Sequence, residues 1–142
     1  IAEGRRGCIA FTSSAAWFIP APYAAMYGAT KAMLSNFAVS LSIEARNHNI
    51  DICVVHPSYT HTNLYESNPK IGVLKLLSKF GWTGDDVANV LFTSVGRVVV
   101  RDAGAYSVLT NILGRFIDSG TLAKLIMPFR HGMAPPPKVR CE

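Results

Sequence analysis

The sequence predicts an α/β protein with parallel strands, and three observations lead there. Short apolar and β-branched runs (Cys8 to Thr12, Ile50 to Val55, Val98 to Val100) alternate with longer stretches of helical periodicity. Hydroxyl, proline and aromatic residues gather directly after the first two runs, where open α/β sheets place their sites. The charged fraction is only 16% against 49% hydrophobic, a balance that suits elements buried on one another and not a disordered chain.

A chain of 142 residues is long enough to bury a real core. Its net charge of +5 is spread out, apart from Arg5-Arg6 and a diffuse set of Lys124, Arg130, Lys138 and Arg140. No basic stripe interleaved with aromatics is present, so a nucleic-acid partner is not expected. Cys8, Cys53 and Cys141 are odd in number, far apart and without metal-ligand spacing. Cys8 and Cys53 fall in strand-like runs and are expected to be small buried apolar groups, with a reducing compartment the simplest assumption. Residues 1–7 resemble neither a signal nor a transit peptide, and no internal repeat is visible.

Taken in order, Cys8 to Thr12 reads as a buried parallel strand bounded by Gly7 and Ser13-Ser14. No charge occurs from Cys8 to Thr30, yet Pro20, Pro22 and the paired serines argue against a membrane span. A helix follows from about Tyr23 to His48. In it Met26, Met33, Phe37, Leu41 and Ala45 recur as the expected packed stripe, while Ala25, Ala29, Ala32 and Ser40 keep other faces small. His48 reads as a solvated end residue.

Tyr27 and Lys31 stand four residues apart on that helix, so their side chains share a face. A phenol is ordinarily too weak an acid to trade protons at neutral pH. An ammonium held beside it favours the phenolate and makes it usable. Such a pair arises often by chance and is weak alone; a solvated lysine beside a half-buried tyrosine is the plain alternative. Its setting, after Ser14 at a strand end and before a second strand, raises it.

Ile50 to Val55 is the second strand, followed by His56-Pro57-Ser58-Tyr59-Thr60-His61-Thr62. His56 and His61 lack a third ligand at a convincing spacing, so no metal is expected. From Leu64 to Trp82, a turn at Asn68-Pro69 precedes Val73, Leu74, Leu76, Leu77, Phe80 and Trp82. These read either as a lid-like apolar helix or as ordinary packing. Thr83-Gly84-Asp85-Asp86 opens a helix reaching about Arg97, with acids in its first turn. Val98 to Val100 is expected as the last strand, with Asp102-Ala103-Gly104 turning the chain. Two apolar helices follow, about Tyr106 to Ile117 and Thr121 to Met127. They either cap the sheet or rest on a membrane surface with Lys124 and Arg130 near headgroups; the cap is preferred. Residues 134–142, opening Ala134-Pro135-Pro136-Pro137, read as a tail.

Ser14, Tyr27-Gly28-Ala29-Thr30-Lys31 and the proline-containing loop before them resemble the signature of the short-chain dehydrogenase/reductase family. The resemblance implies that residues 1–133 form the C-terminal catalytic half of such a domain, the C-terminal part of a Rossmann-like doubly wound parallel sheet. It implies NAD or NADP as cofactor. Tyr27 would be the general acid/base, and Lys31 would poise it and hold the nicotinamide ribose. Ser14 would orient the substrate oxygen, the family spacing pointing to it over Ser13. Pro57, Thr60 and Thr62 would border the nicotinamide carboxamide, although Ser58 replaces the usual glycine. The two closing helices look like the branch acting on steroids, retinoids and other lipids, which implies a lipophilic alcohol or ketone and possible peripheral membrane contact. It also implies a homodimer through the long helix, and a place in the cytoplasm or on the cytoplasmic face of an internal membrane. The family's glycine-rich turn, its relay asparagine and the residue that selects NAD or NADP belong to a first half not found in this sequence. A noncatalytic module that dimerises through the long helix without cofactor is the rival reading. An epimerase or dehydratase relative is a third, made less favourable by the Pro57 to Thr62 segment.

Overall fold

Ile52 to His56, five buried residues in succession, mark the centre of the molecule. The computed structural model describes residues 6–62 and 78–130. The proposed lid residues Val73, Leu74, Leu76 and Leu77 and the 134–142 tail lie outside the described residues.

Strand β1 (Gly7–Thr12) leads through a 3-10 turn (Ala15–Trp17) to helix α1 (Ala25–Ala45). A second 3-10 turn (Arg46–His48) and Asn49, in the left-handed region at φ 56°, swing the chain into β2 (Ile50–Pro57). Asparagine tolerates that conformation better than most residues. Helix α2 (Gly84–Ser94), strand β3 (Val100–Ala103), helix α3 (Ala105–Phe116) and helix α4 (Ser119–Ile126) complete the order. The three strands are parallel in the order β1-β2-β3, with Thr12 opposite Val55 and His56 opposite Asp102.

Strand periodicity explains why helices lie on both faces. Ile52 and Val54 point to one side, where they pack with Ala38 and Ala45 of α1. Cys53 and Val55 point to the other, joining Ala103 of β3 and the half-buried Trp82, Val87, Val90 and Leu91 on and before α2. This is an α/β sheet with helices on both faces, the doubly wound arrangement that the resemblance implies. Helix α2 begins at a capping box: Thr83 Oγ1 accepts from the Asp86 amide at 3.2 Å while the Thr83 amide donates to Asp86 Oδ2 at 2.8 Å. The Thr83 hydroxyl, which also donates to Asp86 Oδ2 at 2.7 Å, and then the Thr83 amide hold the Asp86 carboxyl below its ordinary range.

Three expectations are corrected. The buried face of α1 is Ser35, Ala38 and Ala45, with Leu41 half-buried, and not the Met26, Met33 and Phe37 stripe. Met26 and Met33 are 78% and 67% exposed, and Phe37 reaches only the edge of Phe11. Small side chains let the helix lie close on β2, so the bulky ones point away. Strand β1 is not buried: it pairs only with β2 among the described residues, and Cys8 is exposed while Cys53 is fully buried. The last strand runs Val100–Ala103, two residues later than expected, because Val100 to Ala103 are the residues that find partners in Val54 to Pro57. Asp102 and Ala103 therefore belong to the strand, and only Gly104, at φ 95°, turns.

Candidate active site

Parallel strands deliver their carboxyl ends to one edge of a sheet, where Ser14 follows β1 and Lys31 reaches the strand end at Thr12. Beyond β1, the Ser13 amide still bonds Val55 O at 2.9 Å, which prolongs the ladder by one residue. Ser14, extended at φ −164°, then caps the 3-10 turn: its Oγ accepts from the Ala16 amide at 3.2 Å. That bond uses a lone pair and leaves the hydroxyl proton undonated among the described residues.

The proline loop closes with Tyr23 in the left-handed region at φ 64°, and the Ala24 amide bonds Ala21 O at 3.1 Å. Helix α1 then starts against the serine's turn. A Cβ on Gly28 would lie 3.3 Å from Ala16 O, so glycine is what permits this approach. One turn separates Tyr27 from Lys31, both half-buried. Lys31 Nζ donates to Thr12 O at 3.0 Å and stands 5.6 Å from the centre of the Tyr27 ring. The cation is thus anchored to the strand end two residues before Ser14, and its remaining N–H groups are left for other acceptors.

Pro57 ends β2 beside this turn, and the Ser58 amide bonds Ala103 O at 2.7 Å. Ser58 does not adopt a positive φ, so the backbone there has no need of glycine. Thr60 Oγ1 donates to Ser58 O at 3.2 Å, and Thr60 forms an isolated bridge with Trp82. Its hydroxyl braces the loop and keeps its lone pairs. Thr62 is exposed and is not drawn toward Lys31 by any described contact.

Sequence reasoning considered His56 only as a metal ligand and missed its setting. Its ring is 1% exposed. Nδ1 lies 3.0 Å from Asp102 Oδ1, and Nε2 lies 3.0 Å from Ser35 Oγ. Ser35 Oγ stands 2.8 Å from Ser13 Oγ, and both hydroxyls lie within 3.0 Å of Lys31 O. Asp102 also receives Ser107 Oγ at 3.3 Å and Asn111 Nδ2. Trp17, from the turn that Ser14 caps, stacks on the imidazole with centres 5.1 Å apart. Burial pushes the His56 pKa below its ordinary value, against the opposing pull of Asp102. One signal was legible: Ser35 lies one helical turn beyond Lys31, on the same face.

Comparison with known proteins follows these features. A family model for short chain dehydrogenases matches residues 1–70. Dehydrogenase/reductase SDR family member 7B of Rattus norvegicus is 30% identical over 100 residues, 67% of this chain and 31% of that protein. A very-long-chain 3-oxoacyl-CoA reductase of Neurospora crassa is 30% identical over 125 residues, 78% of this chain and 37% of that protein. An uncharacterized short-chain type dehydrogenase/reductase of Sinorhizobium fredii is 38% identical over 65 residues, 46% of this chain and 26% of its own. The matched segments therefore span well under half the length of these relatives. A crystal structure of a short-chain dehydrogenase from Streptomyces avermitilis superposes with a TM-score of 0.63 at 18% identity, over 90% of this chain and 53% of that one.

Proposed function

The chain belongs to the short-chain dehydrogenase/reductase family, and we propose on that footing that it carries the proton-handling part of an NAD(P)-dependent oxidoreductase site interconverting an alcohol and a ketone. The observation that carries this reading is Lys31 Nζ, bonded to Thr12 O at the strand end and set beside the Tyr27 ring. The donor set fits the nicotinamide end of such a cofactor: Lys31 has spare N–H groups, and Thr60 has free lone pairs on the neighbouring strand's loop. Pro57 and Thr62 border the same loop. When bound, the nicotinamide supplies or takes the hydride.

Tyr27 Oη delivers the proton to the carbonyl oxygen during reduction and removes it during oxidation. The Lys31 cation stabilises the negative charge left on Tyr27 and offers its other protons to the ribose. Ser14 donates its unused hydroxyl proton to the substrate oxygen, while the Ala16 amide fixes Oγ in place. A lipophilic substrate is supported by the exposed Leu109, Ile112, Leu113 and Phe116 of α3 and by the printed substrate of the Neurospora crassa relative. Peripheral membrane contact on a cytoplasmic face, with Lys124 and Arg130 toward headgroups, belongs to the same proposal.

The test is NAD(P)H turnover by the full-length protein across a panel of ketones and 3-oxoacyl thioesters, since this chain alone is expected to be inactive. Tyr27→Phe lowers kcat at least about 100-fold; wild-type rates in that variant overturn the assignment. Exposed Met26, Met33 and Ile43 on α1 support a second reading, a module that pairs through this helix without cofactor. Calorimetry and sedimentation of the 142-residue chain separate the two. Dimers that bind no NAD(P)H favour the module.

A further inference from the structure

Beneath the proposed site runs a continuous chain of buried polar side chains that this chemistry does not use: Ser13, Ser35, His56, Asp102, then Ser107 and Asn111. Ser13, Ser35, His56 and Ser107 are all under 5% exposed. Among the described residues no buried side-chain nitrogen or oxygen lacks a partner. Polar groups so deep are costly unless satisfied, so the arrangement invites a functional account.

Proton positions follow from the acceptors. The Asp102 carboxylate only accepts, so Nδ1 of His56 carries a proton. A neutral ring then has a bare Nε2, to which the Ser35 hydroxyl must donate. Ser35 is thereby committed to His56, and the Ser13 hydroxyl has two acceptors in reach, Ser35 Oγ at 2.8 Å and Lys31 O at 3.0 Å. If the ring gains a second proton, Nε2–H donates to Ser35 Oγ and the Ser35 hydroxyl swings to Lys31 O. The Ser35 hydroxyl then turns from the ring to its own helix, and the bond that ties α1 to His56 is reversed.

Ser35, His56 and Asp102 also stand in the order of a nucleophile, base and orienting acid. Ser35 is 3% exposed, so no acyl substrate reaches it and that role is rejected. What His56 does touch are both supports of the proposed site. Through Ser35 it meets the Lys31 turn of α1, and through ring stacking it meets Trp17, in the turn that Ser14 caps.

Resting on the oxidoreductase reading above, we propose that His56, oriented by Asp102, is a positioning residue that holds the Lys31 turn and the Ser14 turn in register at the end of the sheet. The ring must be neutral for the Ser35 bond to point toward it, so the same device makes the site's geometry sensitive to acid. The groups facing His56 are Ser35 from α1, Trp17 from the 3-10 turn and Asp102 from β3. Asp102 is the charged one. Lys31, the cation on α1, directs its ammonium to Thr12 O instead, and Arg101 points to the opposite face of β3.

Two readouts test this. Nitrogen-resolved NMR of the imidazole should show the Nδ1–H tautomer in the wild type and in Tyr27→Phe alike. In turnover, Ser35→Ala should lower kcat about 10- to 100-fold with KM little changed. It should also remove the acid-side limb of the wild-type kcat profile, and Ser35→Thr, which restores a hydroxyl, should recover both. Wild-type kcat at every pH in Ser35→Ala overturns the proposal. So does a lowered kcat whose acid limb is unmoved, which would mean a structural role only. An inactive full-length wild type would remove the oxidoreductase reading instead; the NMR arm still decides, because a freely titrating Nε2–H ring overturns the His56 assignment by itself.

Discussion

Replacing Asp102 by alanine is the sharpest perturbation of the buried network, and its cost can be worked from the bonds lost. Asp102 accepts from His56 Nδ1 at 3.0 Å, from Ser107 Oγ at 3.3 Å and from Asn111 Nδ2. Asn111 is half-buried and can turn toward water, so its bond contributes little to the difference. His56 and Ser107 are each 1% exposed and have no such escape. A hydrogen bond to a charged group is worth about 1.5–3 kcal/mol, and an orphaned buried donor costs about 1–3 kcal/mol. Two donors stranded together give a loss of about 2–6 kcal/mol. Asp102→Asn keeps an acceptor for Nδ1 and should lose about half as much. Urea unfolding followed by far-UV circular dichroism measures both variants. A loss under about 1 kcal/mol for Asp102→Ala would mean that water replaces the carboxylate and that the network does not tie α3 to the sheet.

Two further outcomes follow from the same geometry. A Cβ on Gly114 of α3 would overlap the Phe18 ring, so Gly114→Ala should destabilise by about 1–3 kcal/mol despite alanine's better helix propensity; thermal unfolding reads the sign. His56 binds its proton less readily in the folded chain than in the unfolded one. Its contribution to stability is therefore complete above the unfolded value of about 6.5 and is lost as pH falls below it. His56→Gln should flatten the change in urea midpoint between about pH 7.5 and 5.5.

Tyr27 and Lys31 were legible because their relation is local. Four residues on any α-helix share a face, so the pair needs only the helix to form. Ser14 was legible for a related reason: a hydroxyl directly after a parallel strand lands at the carboxyl edge wherever the strand sits. The cap at Thr83 and Asp86 was likewise written in adjacent residues. The buried face of α1 was not legible. Periodicity favoured Met33 and Phe37, but the distance between α1 and β2 is set by what else packs there, and Ser35 and Ala38 are what fit. The two-residue shift of β3 has the same origin, since pairing with Val54 to Pro57 is a contact across more than 40 positions.

By itself, then, the order of residues determined which elements form, that they alternate strand with helix, and that Tyr27 and Lys31 share a helix face while the Ser14 hydroxyl follows the first strand. Only the tertiary structure decided that His56 faces α1 and Asp102 stands opposite it, and that Ser13 and Ser35 share the Lys31 carbonyl. The first set depends on backbone geometry within a turn or a strand. The second depends on register between segments distant in the chain, which burial of the whole core selects and no single stretch encodes.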